Sequence, residues 1–418
     1  MRRFFLICLF CALTPLRIMA LLISGQEPPV LPGVNVFFEK HHYESLKGKR
    51  IGLITNQTGV DWKLRPTLQL LCEQVSGLEI VALFSPEHGL QGQNYADVSV
   101  KNEKSGKLPV YSLFGATRRP TEEMLKNIDV LIYDIQCVGS RAYTFPTTLF
   151  YVMEEAAKTG IEVIVFDRPN PINGLMIDGP MLDAKWRSFI GYVNVPYCHG
   201  MTIGELAQFF NGEYRVGCKL KVIPMRGWKR SMTYADTGLS WIPPSPNVPE
   251  ADTSFFYPST GILSGLKLLN IGVGYTLPFK IAGAPWILAK QYAQKLNEQK
   301  LPGVYFVPFY FKPFYGLYKG EDCQGVLIRI TDPLRYRPVS VQYVLLGVLK
   351  SMYPKEFSKR LSNVSSLELF HQANGTDEVF RILTEEKYAT WKLLEFQQAE
   401  RNAFKTIRQK YLLPDYER

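Results

Sequence analysis

The chain has 418 residues, 46% hydrophobic and 21% charged, a composition that describes a folded protein with one large domain or two. Its net charge of +10 comes from Lys and Arg scattered among acidic residues, with no basic block interleaved with aromatics. That argues against a nucleic-acid partner and for a solvated surface. Residues 1–24 open with Arg2-Arg3 and an apolar core from Phe4 to Leu13, the pattern of a signal peptide. No later segment is apolar for long enough to span a bilayer, so no membrane span is expected after cleavage, and the expected location is periplasmic or extracellular.

Beyond "GQEPPVLPGV", strand-like and helix-like runs alternate. "RIGLITNQTGVD" reads as a strand and polar loop, "TLQLLCEQV" as a helix, and "EIVALFSPEHG" as a second strand. "LPVYSLFG" reads as a short strand, "TEEMLKNI" as a helix, and "DVLIYDIQCVGSR" as a strand and loop. "FPTTLFYVMEEAAKTG" has Pro near its start and Gly at its end, the asymmetry of a helix, and "IEVIVFDRPNPING" closes the series. Continuous apolar strands alternating with amphipathic helices predict an α/β fold with a doubly wound parallel sheet. "HGMTIGELAQFFNGE" leads a loop into a helix, and "WIPPSPNVPEADTSFFYPSTG" reads as a long proline-rich loop. After "GYTLPFKIAGAPW" the strand "GVLIRITD" and the helix "VQYVLLGVLKSMY" suggest a smaller α+β domain. The expected division is 30–265 for the sheet domain and 266–418 for the second.

In sheets of this kind ligands bind outside the carboxyl ends of the strands. Four predicted strands end in polar loops there: Asn56-Gln57, Glu87-His88, Asp134 through Arg141, and Asp167-Arg168-Pro169-Asn170. Turn chemistry explains the Pro, Gly and Asn residues but not the carboxylates and guanidiniums on one rim. Glu87 could instead favour a helix start, although His88 and Gly89 make a poor first turn. Thr202-x-x-Glu205 has the spacing of a capping box, so Glu205 is both a candidate cap and a candidate catalyst. His199 beside Cys198 is a weak thiol–imidazole pair, because neighbours in an extended segment face opposite ways.

No GxGxxG, GxxxxGK[ST] or HExxH occurs, and no CxxC lies beyond the leader, so neither a cofactor nor a metal is expected. Cys72, Cys137, Cys198, Cys218 and Cys323 lie beyond the leader, an odd number allowing one or two disulfides in an oxidising compartment. The residue types best fit a hydrolase using carboxylates, and glycoside hydrolysis is the reaction in which such a pair suffices alone.

The stretches "GLITNQTGVD", "LFSPEHGLQG", "DIQCVGSRAYTF", "FDRPNPINGL", "GPMLD", "HGMTIGELA", "PPSPNVP" and "GAPW" resemble the successive motifs of the exo-β-N-acetylmuramidase (NamZ) family. The resemblance runs from about residue 48 to the C-terminus and includes "GEDCQGVLIRITD" and "NGTDEVFRIL". It implies a Rossmann-like domain with a smaller C-terminal domain and an active site in the cleft between them. It implies release of terminal β-1,4-linked N-acetylmuramic acid from the non-reducing end of peptidoglycan fragments, with muramic-acid saccharides as the partners. By position, Glu87 becomes the first catalytic carboxylate and Glu205 its partner. Asn56, Gln57, His88, Asp134, Arg141, Tyr143, Asp167, Arg168, Asn170, His199 and Asn247 become the expected substrate-binding set. Arg141 and Arg168 are the expected anchors for the lactyl carboxylate that distinguishes muramic acid from glucosamine. The chain departs from the family at Cys137, where an Asp is common, and at "GVGYTLPF", which lacks an Arg. Those departures frame one alternative, a catalytically inactive cell-wall sugar-binding protein on the same fold; a metal- or thiol-dependent hydrolase is a separate third class.

Overall fold

The computed structural model describes residues 28–416 except 363 and 366; the expected signal peptide lies outside the described residues. Seven strands form one sheet in the order β3-β4-β2-β1-β5-β6-β7. They are β1 (Arg50–Thr55), β2 (Glu79–Ser85), β3 (Glu103–Ser105), β4 (Leu108–Ser112), β5 (Val130–Asp134), β6 (Glu162–Phe166) and β7 (Lys219–Ile223). All pairings are parallel except β3 with β4.

The apolar runs are continuous because helices cover both faces of the sheet. On one face, Leu53, Leu83 and Ile132 pack with Val34 and Phe37 of helix α1 (Gly33–Glu39) and Leu70 and Leu71 of α2 (Thr67–Gln74). On the other, Ile54, Phe84, Leu131 and Tyr133 pack with Leu149 and Met153 of α4 (Thr144–Thr159) and Leu206 and Phe210 of α5 (Ile203–Glu213). Adjacent strand residues thus serve opposite faces, as the two-residue period requires. The expected doubly wound sheet is present.

Three local expectations change. The run "TEEMLKNI" yields only the single turn α3 (Glu122–Leu125), capped by Thr121, whose hydroxyl accepts from the Met124 amide at 3.3 Å. Strand β3 was not anticipated; its "EKS" is charged and exposed, as suits an edge. Part of the proline-rich loop is helical, forming α6 (Thr253–Thr260) with Pro258 inside it. Burial of Phe255 and Phe256 outweighs the backbone bond that Pro258 removes. All five described cysteines, which the sequence allowed to form one or two disulfides, are free thiols.

The C-terminal region builds a three-stranded antiparallel sheet, β8 (Ile281–Ala284), β10 (Cys323–Ile330) and β9 (Val304–Phe311), in the order β8-β10-β9. Helix α7 (Ala289–Asn297) packs on β9 and β10, helix α8 (Pro338–Met352) packs on α7 and α6, and shorter helices continue to Ile407. The chain then returns to the large sheet: the Tyr416 hydroxyl donates to Asp167 Oδ2 at 2.5 Å, and the Leu413 amide donates to Glu205 Oε1 at 2.9 Å.

Candidate active site

From β1 the chain builds the sheet outward through β2 and β4, then returns to place β5 on the other flank of β1. That reversal is a topological switch point, where open sheets leave a crevice at the strands' carboxyl ends. A cavity of about 560 Å³ lies there, between the sheet edge and the C-terminal region. Loops after β2 supply Glu87, His88 and Asp97; the segment entering α4 supplies Ala142, Tyr143 and Thr144. The far wall comes from Tyr257 on α6, Lys267, Val273 and Phe279 beyond it, and Gly316-Leu317.

Glu87 is buried, and both its oxygens are held. Thr144 Oγ1 donates to Oε2 at 2.6 Å, and the Asp97 amide donates to Oε1 at 3.1 Å. Next to it, His88 has φ of 73°, a left-handed conformation costing about 1–3 kcal/mol for a non-glycine residue. Three bonds to one neighbour hold it there: Nδ1 donates to the Asn94 carbonyl at 2.7 Å, and the Asn94 main-chain amide and Nδ2 each donate back to the His88 carbonyl at 3.2 Å. Because a carbonyl only accepts, Nδ1 carries the proton, and in the neutral ring Nε2 keeps its lone pair. Burial pushes the hydroxyls of Tyr143, Tyr197 and Tyr257 up, so these cavity phenols remain hydrogen-bond donors at neutral pH.

Of the expected site residues, the structure brings Glu87, His88, Tyr143 and Asn247 to the cavity. The others sit behind it as supports. Arg168 is paired with Asp134 (Nε to Oδ1 2.5 Å, Nη2 to Oδ2 2.9 Å), and Asp134 also accepts from the Thr67 hydroxyl at 2.5 Å. Arg141 spends its guanidinium on four main-chain carbonyls, of Pro180, Val195, Ala373 and Asn374, and burial pushes its pKa down to about 10. In this structure both guanidiniums are engaged by protein groups and neither lines the cavity. Asn56 Oδ1 accepts from the Thr58 amide and hydroxyl, and Gln57 Nε2 reaches the Pro243 carbonyl at 2.8 Å. That reach requires Gly92, where a Cβ would fall 1.9 Å from the Gln57 amide nitrogen. Asn170 ties Met201 to Ile172. Asp167 accepts from Thr202, Gly204 and Tyr416, and burial pushes its pKa up to about 7.

Glu205 too sits away from the cavity. It is fully buried, completes the capping box with Thr202, accepts from the Leu413 amide, and pairs through both oxygens with the buried Arg230. It lies outside the cavity lining, and its acceptor capacity is taken. His199 accepts from the Met201 amide through Nδ1 at 3.2 Å and is likewise outside the cavity. Burial pushes its pKa down to about 3, so it is a neutral structural imidazole. Cys137 borders a void of about 10 Å³ beside His199, and burial pushes its thiol up to about 12, which removes it as a nucleophile.

The residues that sequence reading missed are Asp97, Lys267 and Arg118. Asp97 and Lys267 both have left-handed backbones, with φ of 63° and 52°. Asp97 is the second carboxylate in the cavity, and Lys267 is its one Lys or Arg among the described residues. Arg118 stacks on Phe114 (3.4 Å to the ring centroid) and Phe189 (4.7 Å), and its Nη1 has no hydrogen-bond partner. Burial lowers its pKa while Glu87 and Asp97 raise it, so it adds positive potential behind both carboxylates. The one sequence signal for Asp97 was the length of loop between β2 and β3, more than a turn needs.

Comparison with known proteins agrees with this layout. Residues 51–252 match the family described as exo-beta-N-acetylmuramidase NamZ, N-terminal, and residues 255–413 match its C-terminal counterpart. The peptidoglycan beta-N-acetylmuramidase NamZ of Bacillus subtilis (strain 168) is 41% identical over 337 residues, 80% of each chain. The crystal structure of a DUF1343 family protein from Bacteroides fragilis NCTC 9343 superposes with a TM-score of 0.86 at 40% identity, covering 94% of this chain and 100% of that one. A second DUF1343 structure from the same organism gives 0.70 at 28% identity, covering 93% and 99%. With both halves matched in order and the cavity lying between them, the chain belongs to the exo-β-N-acetylmuramidase NamZ family.

Proposed function

We propose that the protein is an exo-acting glycosidase that releases terminal β-1,4-linked N-acetylmuramic acid from the non-reducing end of peptidoglycan fragments. The observation that carries this reading is the buried Glu87, held by Thr144 and Asp97 inside the inter-domain cavity of a NamZ-family fold. Protonated, Glu87 delivers its proton to the glycosidic oxygen as the C1–O bond breaks, and a water molecule then forms the new C1–O bond, its proton going to a cavity carboxylate. Asp97 supplies the second carboxylate facing the oxocarbenium-like transition state. One of the pair is buried and the other exposed, the difference of environment that lets two acids divide their roles. Lys267 is placed to take the lactyl carboxylate from the C-terminal side of the cavity, and the protonated tyrosines and Asn247 to bind hydroxyl and acetamido groups. Export, which the amino-terminal apolar run supports, would bring the enzyme to its polymer.

Release of free N-acetylmuramic acid from the disaccharide N-acetylmuramyl-β-1,4-N-acetylglucosamine tests the reading. Stoichiometric binding of that disaccharide without release would favour the sugar-binding alternative instead.

A further inference from the structure

An exo-acting enzyme holds one terminal sugar in its cavity, and the rest of the chain must leave through the mouth. At that mouth the lining residues Gly316 and Leu317 are preceded by Phe314 and Tyr315, which are 59% and 39% exposed. Their ring centroids lie 5.4 Å apart at 63°. The loop that carries them is fixed on several sides. The Phe314 amide donates to the Gly274 carbonyl at 2.8 Å, the Gly320 amide to the Pro313 carbonyl at 2.8 Å, and Asn270 Nδ2 to the Leu317 carbonyl at 2.8 Å. Gly274 has φ of 90°, and a Cβ there would stand 2.1 Å from the Tyr315 carbonyl oxygen, so only glycine lets the two strands of loop meet. Two partly exposed aromatic rings on a pinned loop leave apolar surface in water, an arrangement that folding alone does not favour. Tyr95, 66% exposed, stands on the loop that carries Asp97.

We propose that Phe314 and Tyr315 form a stacking ledge for the sugar on the leaving side of the scissile bond, a β-1,4-linked N-acetylglucosamine unit. A pyranose with equatorial substituents presents C–H groups on its faces, which pack on an aromatic ring while its hydroxyls stay in water. The ledge lies one residue from the cavity lining, where the second sugar must emerge. This inference rests on the glycosidase reading above.

The test compares wild type with a Phe314→Ala/Tyr315→Ala double variant on two substrates. One is N-acetylmuramyl-β-1,4-N-acetylglucosamine; the other is the β-fluoride of N-acetylmuramic acid, whose leaving group is too small to reach the ledge. The expected result is a fall of about tenfold in kcat/KM on the disaccharide, with the fluoride within about twofold. Tyr315→Phe, which keeps the ring, should match wild type on both. Equal losses on the two substrates, or no loss on either, would overturn the ledge. Should wild type hydrolyse neither substrate, the glycosidase reading fails, and calorimetric binding of the β-1,4-linked N-acetylglucosamine disaccharide decides the ledge by itself. Weaker binding by the double variant supports it, and equal or absent binding overturns it.

Discussion

The Asp97 amide donates to Glu87 Oε1 at 3.1 Å, so the main chain of one cavity carboxylate holds the side chain of the other. The left-handed turn at Asp97, with φ of 63°, accompanies that contact. The two acids are therefore separable by substitution. Glu87→Gln keeps an oxygen for the Asp97 amide, and the Thr144 hydroxyl can rotate to suit its amide. We predict a folded protein with turnover down by at least about a hundredfold. Asp97→Asn keeps the amide donor and tolerates the left-handed backbone, so its stability should hold while turnover falls at least about tenfold. Melting temperature and turnover measured on the same preparations check both. A folded Glu87→Gln enzyme with near-normal turnover would remove Glu87 from the chemistry.

In the proposed function the lactyl carboxylate is assigned to Lys267, since Arg141 and Arg168 are committed elsewhere. Lys267 is exposed and has no side-chain partner among the described residues, so replacing it should cost little stability. Lys267→Met should lower kcat/KM on muramides roughly tenfold, the scale of one charge-assisted hydrogen bond, and leave any activity on matched glucosaminides unchanged. An unchanged ratio of the two activities would show that the carboxylate is read by another group.

How much of this was legible in the sequence divides by the range of the interactions. Glu87 was visible because an apolar strand stopped at "SPEHG", a local event. The sheet was visible for the same reason, each strand being a continuous apolar run. The bonds made by Arg141 and Glu205 were not legible because their partners are distant in the chain. Arg141 is held by carbonyls as far away as Asn374, Glu205 by Arg230 and Leu413, and Asp167 by Tyr416. A charged residue on a strand-end rim looks the same in sequence whether it faces a ligand or a buried counter-charge. Lys267 gave no local signal at all, because its position depends on how the C-terminal region folds over the sheet.

The Glu205–Arg230 pair carries a stability prediction of its own. As a cap alone, Glu205→Gln would be nearly silent, since Gln also reaches back to the cap amide. The structure adds a guanidinium that is 3% exposed and makes both of its carboxylate bonds to Glu205. Glu205→Gln leaves that charge buried without a counter-ion, a loss of about 3–5 kcal/mol. Turnover per folded molecule should stay near normal, because Glu205 does not line the cavity. Removing the stranded charge as well, in Glu205→Gln/Arg230→Met, should recover part of the loss. A Glu205→Gln enzyme with an unchanged melting temperature and lost turnover would return Glu205 to the reaction.

His199 governs the last prediction, the acid limb of stability. Its folded pKa is pushed from 6.5 down to about 3, first by burial and then by the charges of Arg408 and Arg141. Between those values the unfolded chain takes up a proton that the folded protein refuses. The contribution of His199 is therefore fully present above pH 6.5 and is lost as pH falls toward 3. Asp167 acts with the opposite sign. Its folded pKa is raised to about 7, so its proton favours the fold below 3.8 and that advantage fades as pH rises to about 7. The two windows overlap, and a wild-type profile alone mixes them. His199→Asn separates them: an Asn oxygen replaces Nδ1 as acceptor for the Met201 amide, and the titration disappears while Asp167 is untouched. Urea unfolding at pH 7.5 and pH 5 should show the variant losing less stability on acidification than wild type. It should start lower at pH 7.5 by about 1–3 kcal/mol, the scale of a filled ring replaced by a smaller side chain. Parallel pH profiles for the two proteins would mean that His199 already carries its proton in the fold.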